Sequence, residues 1–259
     1  MTIKFPKTFA GRNCEEDYNR IVNAPEKTIP IIQPIVQPIV QPTGELSFVT
    51  DENLYKEIIK YLNNTFSTQK SNLSEKLKFE DKIMKGSNPY IAVGVDMFLK
   101  TQNLEYRIAT QRDLETNLQM FKGFYKDSGL ALRSLEEPNS SQAEHLYKQL
   151  KLKDPNIKFP IFIELKNLEL DSNLNFNLTN NSSYKTADCL NWKSGTNYSQ
   201  VDDYGLPITK DKNSKRQIWT VNSGLSGACL DGYSNLDSDN SNLAYSDDYG
   251  RVVVARTGK

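Results

Sequence analysis

Residues 225–250 read LSGACLDGYSNLDSDNSNLAYSDDYG, and no other part of the chain has this texture. Cys229, Asp231, Tyr233, Asn235 and Asp237 alternate there with Leu230, Gly232, Ser234, Leu236 and Ser238. Side chains along an extended backbone point alternately to its two sides. The first set is therefore expected to face solvent together, over leucines that anchor the segment from beneath. The polar run Asp239, Asn240, Ser241 and Asn242 follows, Leu243-Ala244 turns back inward, and Tyr245, Asp247 and Tyr249 resume the alternation.

The outward residue types share a second property. Cys, Asp, Tyr, Asn and Ser are all encoded by codons that differ from an Asn codon only in the first two bases. Lys, Glu, Gln and Met, whose codons end in a purine, are missing from those positions. The chain as a whole holds 32 Lys plus Arg, yet residues 217–250 contain no Lys or Arg. An ordinary solvated loop draws freely on Lys and Glu. A surface of Tyr, Asp, Asn and Ser has instead the composition of an antibody paratope, where rigid aromatic rings supply contact area and short polar groups supply adaptable hydrogen bonds. The expected ligand-binding set is Cys229, Asp231, Tyr233, Asn235, Asp237, Asp239, Asn240, Ser241, Asn242, Tyr245, Asp247 and Tyr249, with the three tyrosines as anchors.

Outward from this segment, RQIWTV (216–221) and RVVVAR (251–256) read as core strands. IKFPIFIEL (157–165) is a strand whose Pro160 favours a sheet edge, and Leu174, Phe176 and Leu178 alternate with Asn173, Asn175 and Asn177. Before residue 156 the period is helical. Thr50 is placed to cap a helix with the stripe Leu54, Ile58, Ile59 and Leu62, and Thr110 to cap QRDLETNLQMFKGFY. Ser141 with Glu144 spells a capping box ahead of Leu146, Tyr147 and Leu150. NPYIAVGVDMFLK (88–100) has the β-branched and aromatic density of a buried strand, with Gly94 as a bulge. Helices followed by many short strands and long loops make an α+β fold.

Residues 31–42 repeat Ile/Val-Gln-Pro three times, preceded by Pro30. Each proline pushes the residue before it into extended geometry, so the segment reads as a stiff arm. It either lies on the protein's own surface or docks on a neighbouring subunit, which leaves an oligomer assembled through the arm open. The expected organisation is an N-terminal extension (1–44), a helical segment and linker (45–87), and a domain over 88–259 that carries the variable region 225–250.

Composition removes several function classes. Acidic and basic residues balance at 32 each, so no global field draws the chain to nucleic acid, and five acids without a base between 229 and 249 would repel phosphate. His145 is the single histidine and sits in a helical pattern, which leaves no His-based nucleophile activation or multi-His zinc site. Cys14, Cys189 and Cys229 are too widely spaced for a metal or redox motif; free thiols are expected, with a Cys189–Cys229 bridge as the alternative. Trp192 and Trp219 are expected in the core. The acid pairs Asp202-Asp203 and Asp247-Asp248 are adjacent, and adjacent strand residues face opposite ways, so an enzyme is not expected and no cofactor is implied. No signal peptide and no run of about 18 apolar residues occurs, which reads as a cytoplasmic protein unless it is exported or virion-borne. Calcium is the chemical rival: Asp237, Asp239 and Ser241 alternate ahead of Asp248, a faint EF-hand echo in which Asn242 replaces the turn glycine. The alternative function is therefore a calcium-dependent carbohydrate-binding lectin.

The spacing Leu230-Asp231, Leu236, Ser238, Leu243-Ala244, Ser246 and Gly250 to Val254 is supported by EYRIATQRDLE (105–115), FPIFIEL (159–165) and WTVNSGLS (219–226). Over 88–259 this pattern resembles the variable proteins of diversity-generating retroelements, in particular an archaeal type. The GGSW-like stretch of the bacterial and phage branch is absent, so that branch's site layout is not carried over. The resemblance implies a C-type lectin fold, two helices around a small mixed sheet with long loops, closed by Arg251–Val254 near the domain's first strand. It also implies selective binding of a ligand, a protein or other cell-surface ligand, through a randomised solvent-exposed face.

Overall fold

Residues 45–66 and 73–257 are described by the structure, a computed structural model, together with the backbone of Thr8–Phe9 (β1) and Arg12–Asn13 (β2). β1 and β2 form an antiparallel ladder within a unit of their own, residues 1–41. Cys14 and the Ile/Val-Gln-Pro repeat lie outside the described residues. The second unit spans residues 42–259.

Leu46–Phe48 (β3) leads into helix α1, Glu52–Thr65. Its cap is Asp51, one residue beyond the expected Thr50, because the Asp51 carboxylate accepts the N–H groups of Asn53 (2.7 Å) and Leu54 (3.3 Å). Ile58 and Leu62 of the expected stripe are buried, and Leu54 and Ile59 pack beside them. A hairpin of Lys78–Glu80 (β4) and Ile83–Lys85 (β5) follows.

The expected strand at 88–100 is instead helix α2, Pro89–Thr101. Asn88 accepts the Ile91 N–H at 2.8 Å and Pro89 occupies the first turn, where its missing N–H leaves no orphan. Ile91, Ala92, Val93, Val95, Phe98 and Leu99 are buried around most of its circumference. A helix wrapped in core is apolar on every side, and then apolar density cannot tell it from a buried strand. Gly94 marks close helix packing, not a bulge: a Cβ there would stand 2.6 Å from Leu62 Cδ2.

Tyr106–Ile108 (β6) precedes the short helix α3, Gln111–Glu115, which carries the expected Thr110 cap as a full capping box with Asp113. The helix ends ten residues short of Tyr125. Thr116 Oγ1 and Asn117 Nδ2 both donate to the Asp113 carbonyl (2.8 and 3.0 Å), competing with the helical ladder, and the chain turns irregularly to Lys126–Leu132 (β7). Helix α4, Ser140–Lys153, buries Ala143, Leu146 and Leu150. Its expected capping box is not formed. Asn139 precedes the helix in the left-handed region (φ 62°) and makes no cap; its Nδ2 donates instead to the carbonyls of Leu225 and Ser241.

The remaining strands are Ile161–Glu164 (β8), Leu168–Leu170 (β9), Phe176–Leu178 (β10), Tyr184–Thr186 (β11), Thr196–Val201 (β12), Pro207–Lys210 (β13), Gln217–Thr220 (β14), Leu225–Leu230 (β15), Leu236–Ser238 (β16) and Val253–Arg256 (β17). Seven of them join β7 in an eight-stranded curled mixed sheet in the order β11-β8-β7-β15-β16-β14-β12-β13, with β14–β16 as its parallel pair. β8 is paired on both sides, so Pro160 does not mark an edge; it stands just before the strand, where no ladder bond is lost. β17 lies between β3 and β6 in a second, antiparallel sheet. Residues 45–87 therefore share one core with 88–259, and the folded unit begins ahead of residue 88. The architecture is α+β, and among the described residues no helix is long and apolar enough to cross a membrane.

The large sheet separates two cores. Leu130, Leu132, Ile161, Ile163 and Leu225 point toward α1, α2 and α4, whereas Ala131, Phe162, Ile218, Ala228 and Leu236 point the other way, onto Leu190, Tyr198 and Leu206. Arg133, directly after β7, is 5% exposed and ties the middle of this sheet together. Its guanidinium donates to Thr220 Oγ1 (2.9 Å) on β14, Ser226 Oγ (2.9 Å) on β15, Ser238 Oγ (2.7 Å) and carbonyl (3.0 Å) on β16, and the Leu190 carbonyl (3.1 Å). Burial lowers its pKa to about 10, so it remains charged at neutral pH. Replacing it by methionine takes a charged donor from three buried hydroxyls and two carbonyls, leaving each hydroxyl only its own bond to a carbonyl. Arg133→Met is expected to lower stability by about 3 kcal/mol or more in urea titrations, well beyond any effect of a surface arginine.

Candidate functional site

β15 and β16 form a hairpin with Leu230 opposite Leu236 and Cys229 opposite Asp237. Its loop, Asp231–Asn235, is organised by one carboxylate. Asp231 Oδ1 accepts the N–H groups of Tyr233 and Asn235 (2.8 Å each), and Oδ2 accepts Asn235 Nδ2 at 2.9 Å. The same device closes two other hairpins. Asp171 takes the N–H groups of Asn173 and Asn175 between β9 and β10, and Asp202 those of Tyr204 and Leu206 between β12 and β13. In all three loops the fourth residue has positive φ: Leu174 at 57°, Gly205 at 78° and Ser234 at 66°.

Two of the expected binding residues are therefore frame. Asn235 is 8% exposed, and its Oδ1 accepts the Gln217 N–H at 2.8 Å. Asp231 is half-buried with its oxygens turned onto the loop's own backbone. Alternation places residues only while the backbone stays extended, and between 231 and 235 the chain reverses. Tyr233, at the apex, is 67% exposed. Two cations grip the loop from behind. Lys126 Nζ donates to the carbonyls of Phe121, Phe124 and Asp231, and Arg216 Nε donates to that of Ser234 at 2.6 Å while its fork pairs with Glu115 (2.6 and 2.8 Å). Burial pushes the Lys126 amine down to about 8.

The segment 239–250 is held in a related way. Gly227 N–H donates to the Asn240 carbonyl (3.0 Å), Asn139 to that of Ser241 (2.7 Å), Asn88 Nδ2 and Lys76 Nζ to that of Ala244, and Arg251 to that of Asp248 (2.7 Å). Tyr125 N–H donates to the Tyr249 carbonyl, and its hydroxyl accepts the Asp247 N–H at 3.1 Å. Leu243 is sunk in the core. With the backbone pinned, Asp239, Asn240, Ser241, Asn242, Tyr245 and Tyr249 are exposed, Tyr249 by 67%.

Between these loops runs a row across four strands: Asp127 (β7), Cys229 (β15), Asp237 (β16) and Trp219 (β14), each the register partner of the next and each half-buried. A bulge at Ser128 puts Asp127 in this row. Gly129 lies against Phe162 on the other side of the sheet, and the extra residue reverses the phase of the strand before it. Asp127 carries no signal in the sequence and enters only through strand pairing, and Trp219 lies half-buried at the sheet surface in place of the expected core position.

Burial, and then the nearby Asp247 charge, raise the Asp127 carboxyl to about 7, although Ser87 Oγ donates to it at 2.6 Å. Burial and Asp239 raise Asp237 to about 7 as well, and the Cys229 thiol is pushed well above its ordinary value by burial beside Asp237 and Asp127. Tyr245 donates its hydroxyl to Asp247 at 2.8 Å. Cys229 and Cys189 are both free thiols, Cys189 among the apolar residues on the opposite side of the sheet. His145 shares a hydrogen bond with Asn177 at 2.9 Å. Of the calcium-like positions, Asp248 pairs with Lys78 (2.9 Å) and Asp237 accepts the Asp239 N–H; among the described residues no group of three or more His, Cys, Asp or Glu is arranged to hold a metal ion.

No family model, curated protein or solved structure matches this chain.

The division between frame and display is testable. Asp231→Ala removes a charged acceptor from two backbone N–H groups and is expected to cost about 3 kcal/mol, as is Asp171→Ala, whereas Tyr233→Ala should change stability by less than about 0.5 kcal/mol in denaturant titrations. The carboxyls of Asp127 and Asp237 hold protons in the folded protein at pH values where the unfolded chain, titrating near 3.8, has released them. Their contribution to stability is fullest below about pH 4 and is lost as pH rises through about 7. The double variant Asp127→Asn/Asp237→Asn should therefore gain melting temperature relative to the parent between pH 5 and pH 8, measured by thermal unfolding at each pH.

Proposed function

We propose that this chain is a non-enzymatic binding protein, a variable protein of the diversity-generating retroelement kind on a C-type lectin-like scaffold, and that the residues between Cys229 and Tyr249 recognise a protein or other cell-surface ligand. What carries the reading is the separation of backbone from side chains. The carbonyls of Asp231, Ser234, Asn240, Ser241, Ala244, Asp248 and Tyr249 are held by groups outside 229–249, while Tyr233, Asp239, Asn240, Ser241, Asn242, Tyr245 and Tyr249 are exposed. A loop fixed this way keeps its shape when its outward side chains change, which is what a retargetable surface requires. Asp231 and Asn235 belong to the frame, and Cys229, Asp237 and Asp247 form its half-buried floor.

The scaffold reading draws on the pairing of the unit's first and last strands, β3 and β17, and on a mixed sheet with long loops; three long helices, α1, α2 and α4, pack against it where the resemblance implies two. The tyrosines suit the task because a ring brings large contact area with few rotatable bonds. A centrally buried aromatic anchor is worth about 2 kcal/mol or more in a complex.

The experiment needs no knowledge of the natural ligand. A display library randomised at Tyr233, Asp239, Asn240, Ser241, Asn242, Tyr245 and Tyr249 is expected to keep most members folded and to yield binders against an arbitrary immobilised protein such as lysozyme. Changing Tyr233, Tyr245 and Tyr249 of such a binder together to Ala should abolish binding with melting temperature nearly unchanged. Cooperative unfolding of most library members would show that these side chains are structural, and the proposal would be lost.

A further inference from the structure

The segment just ahead of β7 runs between the two loops of the face and is bonded to both. Gly123 N–H donates to the Gly232 carbonyl at 2.9 Å and Tyr125 N–H to the Tyr249 carbonyl at 3.2 Å, and Tyr125 forms a parallel bridge with Gly250. Lys126, 1% exposed, draws the same segment onto the hairpin, because its one amine holds the carbonyls of Phe121, Phe124 and Asp231. From the long loop's end the Arg251 guanidinium lies over the Phe124 ring at 4.3 Å. Gly123 and Tyr125 are two residues apart, about 7 Å at full extension, so the carbonyls of Gly232 and Tyr249 stand no more than about 13 Å apart across the segment.

The middle of that span is bare. Gly123 is exposed, its φ of 90° lies in the region that favours glycine, and a Cβ there would meet nothing beyond its chain neighbours within 4 Å. Its partner across the hydrogen bond is also a glycine, and a Cβ on Gly232 would stand 3.0 Å from the Gly123 carbonyl carbon. Backbone therefore meets backbone between Tyr233 and Tyr249, each 67% exposed.

We propose that Lys122 and Gly123 form a constant strip of this same face, and that its protein partner seats a protruding loop on Gly123 between Tyr233 and Tyr249. This rests on the reading above and names the shape of the partner. Both strip residues are exposed and lie outside 229–249, so they stay fixed while the positions around them change. An opening of about 13 Å admits a hairpin tip, whose paired strands lie about 4.8 Å apart, or a single helix about 10–12 Å across. A flat partner would rest on the flanking tyrosines without reaching the strip. Peptide without a Cβ also lets a partner's own backbone approach closely.

The test takes several independent binders of lysozyme from the library randomised at the seven exposed positions, with residues 121–126 unchanged, and titrates each isotope-labelled full chain with lysozyme. The amide signals of Lys122, Gly123 and Phe124 are expected to shift together with those of 239–242. Those of Leu152 and Lys153, at the other end of α4 from Asn139, should stay in place. Gly123→Asn, whose side chain enters open space, should weaken lysozyme binding about tenfold or more with melting temperature nearly unchanged. If that variant fails to fold, Lys122→Trp, a bulky group at an exposed position without positive φ, is expected to give the same loss. Strip amides that stay still while 239–242 shift, or a folded variant that binds within about twofold of its parent, overturn the inference and leave the binding-protein reading standing. A library that yields no binder removes both.

Discussion

A single buried guanidinium holds the middle of the molecule. Arg133 reaches β14, β15, β16 and the turn at Leu190, and its donors meet hydroxyls and carbonyls, with no carboxylate among those partners. A charge kept from water is tolerated only when its donors are satisfied. Thr220, Ser226 and Ser238 can do this only in one relative placement of their strands. That fixes the parallel β14–β16 pairing, which no hairpin enforces, and with it the positions of Trp219 and Asp237 one residue away along the same strands.

Around that hub the segment from Cys229 to Tyr249 is built from rules used elsewhere in the chain. The loop of Asp231 repeats those of Asp171 and Asp202, down to the left-handed fourth residue. The longer loop is fastened mainly through its carbonyls, by amide and cationic side chains from distant parts of the chain and by the backbone of Gly227 and Tyr125. Ordering such a span costs conformational entropy during folding, so less remains to be lost on binding, which is the physical content of preorganisation.

Much of this was legible in the sequence, and the gaps have physical causes. The helical stripe of α1, the Thr110 cap, the anchoring Leu230, Leu236 and Leu243, and the exposed tyrosines follow from periodicity and residue chemistry. Pro89–Thr101 reads as a strand because a helix apolar on all sides carries no periodic signal. Asn235 and Asp231 were misplaced because a five-residue turn interrupts a two-residue period, although the Leu-Asp-three-residues-Asn pattern at 170–175 offered a template for the correct reading. Asp127 could not be found at all: its place depends on which strand pairs with β15 and on the bulge at Ser128.

That bulge reaches beyond packing. Asp127 lies a hundred residues ahead of the hairpin it faces, outside the segment 229–249. Under the proposed function, every sibling chain inherits this one acid while the letters around it are rewritten. The repertoire such chains explore then keeps one half-buried acid as a fixed letter beneath the changing ones.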